Sequence, residues 1–277
     1  MVAAKRRLVR VEVWVAVGML LMGLLFFFSD GPFLCSNTSV SPNSLDTTFQ
    51  FPDFAEIAKS ENTDKFEHGY SPAYQQYVPM VVSKLKGRPL KFLEIGLGCW
   101  MPYGEGHSAP VWRRFLPPTT EVTILEFVED CALSWHARTD FKDYKLVIGS
   151  QDNATLLQRM TAEHGPFDII IDDGSHKASH QRASFLHLFP PMSPGGVYFM
   201  EDVQTSYAPE YEGGTLGNQT DTALTLASQI MNNMFYGRPE FKLGAEPPPR
   251  DDPIVVGTYQ HIRNMDIHDT MVVYVHK

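Results

Sequence analysis

Two carboxylates, a glycine, a hydroxyl and an imidazole follow directly on an apolar run in Phe167-Asp-Ile-Ile-Ile-Asp172-Asp173-Gly-Ser-His176. Phe167 to Ile171 can be buried on both faces of a central parallel strand, but Asp172 and Asp173 cannot follow them inward unless they are paired or metal-bound. They belong at the strand's carboxyl edge, where open α/β sheets bind ligands. An acidic cap on the next helix explains the same residues equally well when they are taken alone. Asp172 stays open between a cofactor contact and such a cap.

Other acids and glycines stand at comparable places. Lys91-Phe-Leu-Glu94-Ile-Gly96-Leu-Gly98 is a short buried strand running into glycines, the shape required where backbone approaches a nucleotide-like ligand. Met101 occupies the place of the third glycine of the dinucleotide fingerprint, which disfavours an NAD-type site. Glu121-Val-Thr-Ile-Leu-Glu126 reads as a second strand ending on an acid, and a carboxylate there can accept both hydroxyls of a ribose. Lys145 to Ile148 forms a third strand, and Gly149-Ser-Gln151-Asp152 beyond it is a polar tip suited to an adenine edge. Gly196 to Met200 is a fifth strand, ending in Glu201-Asp202.

Five strands alternating with helix-length segments predict a doubly wound α/β sheet. A helix is expected after His176, through Ser184 to Phe189, until Pro190-Pro191 stops it. His176 and His180 are spaced to share a metal, but no ligand-type Glu accompanies them as in a zinc-protease helix. Thr222 to Phe235 reads as helical and Gly244 to Pro253 as a Pro-rich loop. Ile254 to Ile262 and Thr270 to His276 read as a closing antiparallel strand pair. Tyr70, Tyr74 and Tyr77 lie at helical spacing and read as core, while Lys65 and His68 beside them are candidates for a lid over a ligand.

The 277 residues suit one sizeable core with a tail. Lys5, Arg6, Arg7 and Arg10 are unopposed in the first ten residues, so 32 acids face 19 bases in the remainder, a net charge of −13. An acidic body argues against nucleic acid as a partner. Residues 1–12 form a basic tail, and 13–28 are uninterruptedly apolar, about 24 Å of helix. The expectation is a single-pass transmembrane anchor with a cytosolic N-terminus and a lumenal body, a cleaved signal peptide being the competing reading. Residues 29–53 read as a linker and 54–277 as the catalytic domain. Sequons stand at Asn37, Asn153 and Asn218. Cys35, Cys99 and Cys131 show neither a paired framework nor zinc spacing, so no disulfide is expected, and at most one.

With Leu-Glu94-Ile-Gly96-Leu-Gly98, Ile-Leu-Glu126, Gly149-Ser-Gln-Asp152, Ile-Asp-Asp173-Gly-Ser-His176 and Pro-Gly-Gly-Val-Tyr-Phe-Met-Glu201-Asp202-Val-Gln-Thr-Ser-Tyr207 in view, residues 64–277 resemble class I S-adenosylmethionine-dependent methyltransferases. The resemblance is to the metal-dependent sugar O-methyltransferases of macrolide biosynthesis and the cephalosporin-hydroxylase-like proteins. It implies a Rossmann-like sheet, Mg²⁺ on Asp173, Glu201 and Asp202, His176 as general base, and S-adenosylmethionine held by Glu94, Gly96 and Glu126. Gly98, Gln151, Asp152 and Asp172 complete the expected cofactor contacts. Three carboxylates make a hard oxygen site that suits Mg²⁺, and an imidazole can take a proton near neutral pH. Where the family carries paired glycines before Ser-Leu-x-x-Trp, this chain has Tyr103-Gly-Glu-Gly-His-Ser-Ala-Pro-Val-Trp112, and Glu126 replaces the more usual Asp. The implied function is O-methylation of a hydroxylated small molecule or sugar. A metal-assisted hydroxylase-like enzyme and a catalytically silent membrane-anchored binding protein are the alternatives.

Overall fold

A computed structural model describes residues 49–215, 217, 220–236 and 253–277. The chain divides into a unit of residues 1–47 and a unit of residues 48–277, and the description concerns the second. The anchor expected at 13–28, most of the linker, Cys35, Asn37, Asn218 and most of the Pro-rich stretch lie outside the described residues. Among the described residues no helix is long and apolar enough to cross a membrane.

The apolar runs form strands where their composition places them. β1 (Lys91–Ile95), β2 (Glu121–Glu126), β3 (Lys145–Ile148), β4 (Ile169–Asp172) and β5 (Val197–Met200) are joined by β6 (Ile262–Ile267) and β7 (Val272–His276) in one seven-stranded sheet. The order is β3-β2-β1-β4-β5-β7-β6, with β1 to β5 parallel and β7 antiparallel to both β5 and β6. This is the expected doubly wound sheet with its closing antiparallel pair. Chain order reverses between β1 and β4, so a crevice opens at their carboxyl ends, where Gly96 and Asp173 follow.

Helices cover both faces. α1 (Phe54–Ser60), α2 (Asp64–Glu67) and α3 (Ser71–Val82) precede the sheet, and α4 (Ser108–Phe115), α5 (Glu129–Arg138), α6 (Ala154–His164) and α7 (Ala178–Leu188) connect its parallel strands. One core layer holds Phe54, Tyr74, Phe92, Trp112, Phe115 and Phe199, with Tyr74 packed edge-on to Trp112 at 5.1 Å between ring centroids. The opposite layer holds Ile170, Phe185, Phe189, Tyr198 and Tyr274, backed by α8 (Ala223–Tyr236) and α9 (Pro253–Tyr259).

Two expectations need correction. The β-branched run from Ile254 is helix α9, with Val255 fully buried against the layer that contains α8; only from Ile262 does the chain become extended. Propensity alone favoured a strand there, and tertiary packing overrides it. The second concerns cysteine: Cys99 and Cys131 form a disulfide across 32 residues of sequence, joining the loop after β1 to α5.

Candidate active site

A cavity of about 740 Å³ opens over the carboxyl ends of β1 to β5. Its wall includes Gly96, Gly98, Glu126, Gln151, Asp173, His176 and Asp202 from the sequence-predicted set. Glu94, Asp152, Asp172 and Glu201 do not line it.

The β1 to β3 side is held mainly by backbone donors. Gly96 has φ +100°, and a Cβ there would collide with the Asp173 carbonyl oxygen, so the close approach of the two strand ends requires glycine. Glu126 is buried, and its Oε2 accepts from Leu97 N–H while Oε1 accepts from Val128 N–H, both at 2.8 Å. Each oxygen retains a further acceptor site, so the carboxylate is fixed without being exhausted. Gln151 bridges two loops: its Nε2 donates to Asp172 Oδ1 at 2.9 Å and its Oε1 accepts from Ser175 N–H at 2.8 Å.

Asp172 is fully buried beneath this bridge, and its Oδ2 accepts from Tyr198 at 2.6 Å and from Ser184. Burial pushes its carboxyl upward, opposed by these hydrogen bonds. It is neither at the cavity wall nor the cap of α7, whose N-cap is Lys177. Asp152, expected at an adenine edge, instead turns to Ser150 Oγ and lies 3.5 Å from His180 Nε2. His180 Nδ1 meets Ser175 Oγ at 2.8 Å, and His176 precedes α7, which starts at Ala178, so the two histidines do not share one helix face. Glu94 is buried under the crevice, accepting from Trp112 Nε1 at 2.8 Å and Ser108 Oγ at 2.9 Å; it pins α4 to β1. Burial raises its carboxyl to about 7.

At the β4 to β5 side, Asp173, His176 and Asp202 each offer one ligand atom, all within 4.8 Å of one another. His176 Nε2 lies 3.8 Å from Asp173 Oδ1 and 3.5 Å from Asp202 Oδ2. His176 Nδ1 is buried without a hydrogen-bond partner. His176 and Asp202 both adopt left-handed backbone, with φ +56° and +54°. That conformation costs roughly 1–3 kcal/mol for a non-glycine residue and concentrates at functional sites. Two carboxylates and an imidazole converging on one partly exposed point fit a hard divalent cation and a proton acceptor.

Tyrosines from the segment before β1 brace this side. Tyr70 OH donates to Asp202 Oδ1 at 3.1 Å and accepts from Asp202 N–H and from Thr270 Oγ1. Tyr74 OH donates to Glu201 Oε1. Glu201 is buried with its carboxyl raised to about 7 by burial, against the pull of Lys65. Lys65 is also buried rather than set over the cavity as a lid, with Nζ 2.7 Å from Asp173 Oδ2 and 2.9 and 2.8 Å from the two Glu201 oxygens. Burial pulls its ammonium down, but Asp173, Glu201 and Glu94 outweigh that and hold it well above the ordinary range. Tyr70 and Tyr74, expected only as core, brace the site, and Lys65, expected as a lid, is instead its internal cation. Their signal was a charged residue and two phenols within ten positions of one another.

The fold, the glycine-bearing end of β1, the acid ending β2 and the acid–imidazole cluster beyond β4 and β5 match those of class I S-adenosylmethionine-dependent methyltransferases, and the chain is similar in sequence and structure to members of that class. Its relatives define the branch. It is 34% identical over 188 residues to 8-demethyl-8-(2-methoxy-alpha-L-rhamnosyl)-tetracenomycin-C 3'-O-methyltransferase of Streptomyces olivaceus, across 66% of this chain and 45% of that protein. To L-olivosyl-oleandolide 3-O-methyltransferase of Streptomyces antibioticus it is 32% identical over 197 residues, 69% of this chain and 48% of that protein. The solved MycE methyltransferase of the mycinamycin pathway, in complex with Mg, SAH and mycinamycin VI, superposes with a TM-score of 0.65 at 26% identity, over 81% of this chain and 54% of that one. The chain thus spans about half the length of the curated relatives it matches. No protein-family model matches it.

Proposed function

We propose that the chain is an S-adenosylmethionine- and Mg²⁺-dependent O-methyltransferase acting on a hydroxyl of a small molecule or sugar. The observation that carries the reading is the cluster of Asp173, His176 and Asp202 on the same cavity wall as Gly96 and Glu126. S-adenosylmethionine supplies an electrophilic methyl group, and a divalent metal bound to a hydroxyl makes its proton easier to remove. Asp173 and Asp202 are the cavity-facing carboxylates that would hold the metal. His176 Nε2 takes the acceptor's proton, with the two carboxylates stabilising the charged imidazole. Glu126, with acceptor capacity left on both oxygens, would take the cofactor's ribose, and Gly96 would let backbone approach it. Several kcal/mol of barrier reduction come from holding the two reactants in line. The relatives' sugar and macrolide acceptors favour a glycosylated or polyhydroxylated substrate. The full chain is expected to bind S-adenosylmethionine in a titration calorimeter; no binding at millimolar cofactor would sink the reading.

The reading extends to location. Residues 13–28 anchor the chain, with the catalytic body on the lumenal or outer side of the membrane. The basic N-terminus supports this, and so does the Cys99–Cys131 disulfide, because disulfides persist in oxidising compartments. The sequon at Asn153 carries an exposed side chain at the N-cap of α6, accepting from Leu156 N–H through Oδ1. A glycosidase-sensitive mobility shift of the full-length protein is expected, and protease accessibility of the body from the cytosolic side would overturn the orientation.

A further inference from the structure

Lys65 is an unusual neighbour for a metal site. An ammonium offers three N–H donors and no acceptor, and here Asp173 Oδ2 and the two oxygens of Glu201 supply three matching acceptors. Glu94 Oε1 stands further off at 3.9 Å, and Tyr74 completes the coordination of Glu201. The side chain is 1% exposed, so this cation does not exchange with solvent as a surface lysine would. Asp173 therefore divides its duties: Oδ2 faces inward to Lys65, while Oδ1 faces His176. Glu201 keeps no oxygen free of Lys65 and lies behind the cavity wall.

We propose that Lys65 is an internal cation that holds Glu201 and one oxygen of Asp173 in the metal-free protein and competes with a divalent metal for those carboxylates. The inference rests on the metal-dependent reading above. Its consequence is that the site binds metal less tightly than its acids alone would allow. Glu201 can become a ligand only as Lys65 releases it. Ammonium and divalent cation attract the same oxygens, and the divalent ion gains roughly twice the Coulomb energy at equal distance. Deleting the ammonium leaves the buried Glu94 and Glu201, and Asp173 at the cavity wall, without a counter-cation, a state that is costly until a cation replaces it.

The test uses the full chain with Lys65→Met, Lys65→Met/Glu201→Gln and the unaltered protein, reading Mn²⁺ affinity by electron paramagnetic resonance and melting temperature with Mg²⁺ or EDTA. Lys65→Met is expected to bind Mn²⁺ at least about tenfold more tightly, and Mg²⁺ is expected to restore most of the melting temperature lost in EDTA. The double variant should return Mn²⁺ affinity toward that of the unaltered protein and recover stability in EDTA. Unchanged or weaker Mn²⁺ binding by Lys65→Met overturns the inference. So does a variant that stays unfolded with Mn²⁺ present, because a metal then cannot replace the ammonium. Methyl transfer is not read in this experiment, so an unaltered protein that binds no Mn²⁺ beside a Lys65→Met that does would contradict metal dependence while upholding the role of Lys65.

Discussion

Glu126, at one end of the cavity, has both carboxylate oxygens held by N–H groups of its own strand end and of the loop after β1. Glu201, behind the other end, is held by side chains: Lys65 from α2 and Tyr74 from α3. Backbone donors near a strand end are set by the sheet itself, so the β1 to β3 side is organised as soon as the fold forms. The β4 to β5 side needs charges brought from the helices before β1, strained backbone at His176 and Asp202, and a buried imidazole nitrogen without a partner. A fixed, hydrogen-bonded carboxylate suits recognition of a cofactor that is the same in every turnover. A cluster whose charges can be redistributed suits metal and proton chemistry.

Substitutions on either side separate the two ends of the cavity. The largest effect is expected from Asp173→Ala, which should lower metal-dependent turnover by roughly 10³-fold or more while leaving S-adenosylmethionine affinity nearly unchanged. An equal loss of both would merge the two ends into one functional unit. Next, opening Cys99–Cys131 by Cys131→Ser should cost about 3–4 kcal/mol of stability, measured by denaturant unfolding, because the bond closes a loop of 32-residue separation. Cys99 lines the cavity, so a weaker cofactor affinity should accompany that loss. Glu126→Gln should weaken cofactor binding by about 1.5–3 kcal/mol in calorimetry with little change in Mn²⁺ affinity, reflecting charge-assisted hydrogen bonds on one side only. The smallest effect is expected from Tyr103→Phe, which removes a 2.9 Å hydrogen bond to Asp64 at the partly exposed rim; stability should fall by less than about 1.5 kcal/mol.

The same contrast explains what could be seen in the sequence. Strands β1, β2, β4 and β5 are apolar runs that stop at acids or glycine, and each lies where those residues end it. Parallel strands buried on both faces leave such a plain trace. The acids themselves look alike in sequence, yet Asp172 is a buried anchor for Gln151, Ser184 and Tyr198 while Asp173 reaches the cavity. One residue of strand register separates those fates. Tyr70 and Tyr74 are buried as their spacing implied, but only the fold reveals that their hydroxyls end on Asp202 and Glu201, more than 120 positions away. The Cys99–Cys131 pair was illegible for a similar reason, since two cysteines without a framework carry no record of the loop and helix that bring them together. Helix α9 was masked by β-branched residues whose conformation is decided by packing beside α8.

The most direct test of the account is transfer of a labelled methyl group from S-adenosylmethionine to a panel of hydroxylated and glycosylated acceptors by the full chain, with EDTA and with Mg²⁺ restored. The predicted result is transfer to an acceptor hydroxyl that EDTA abolishes and Mg²⁺ recovers, while cofactor binding persists under EDTA. Transfer undiminished by the chelator would contradict the roles given to Asp173 and Asp202.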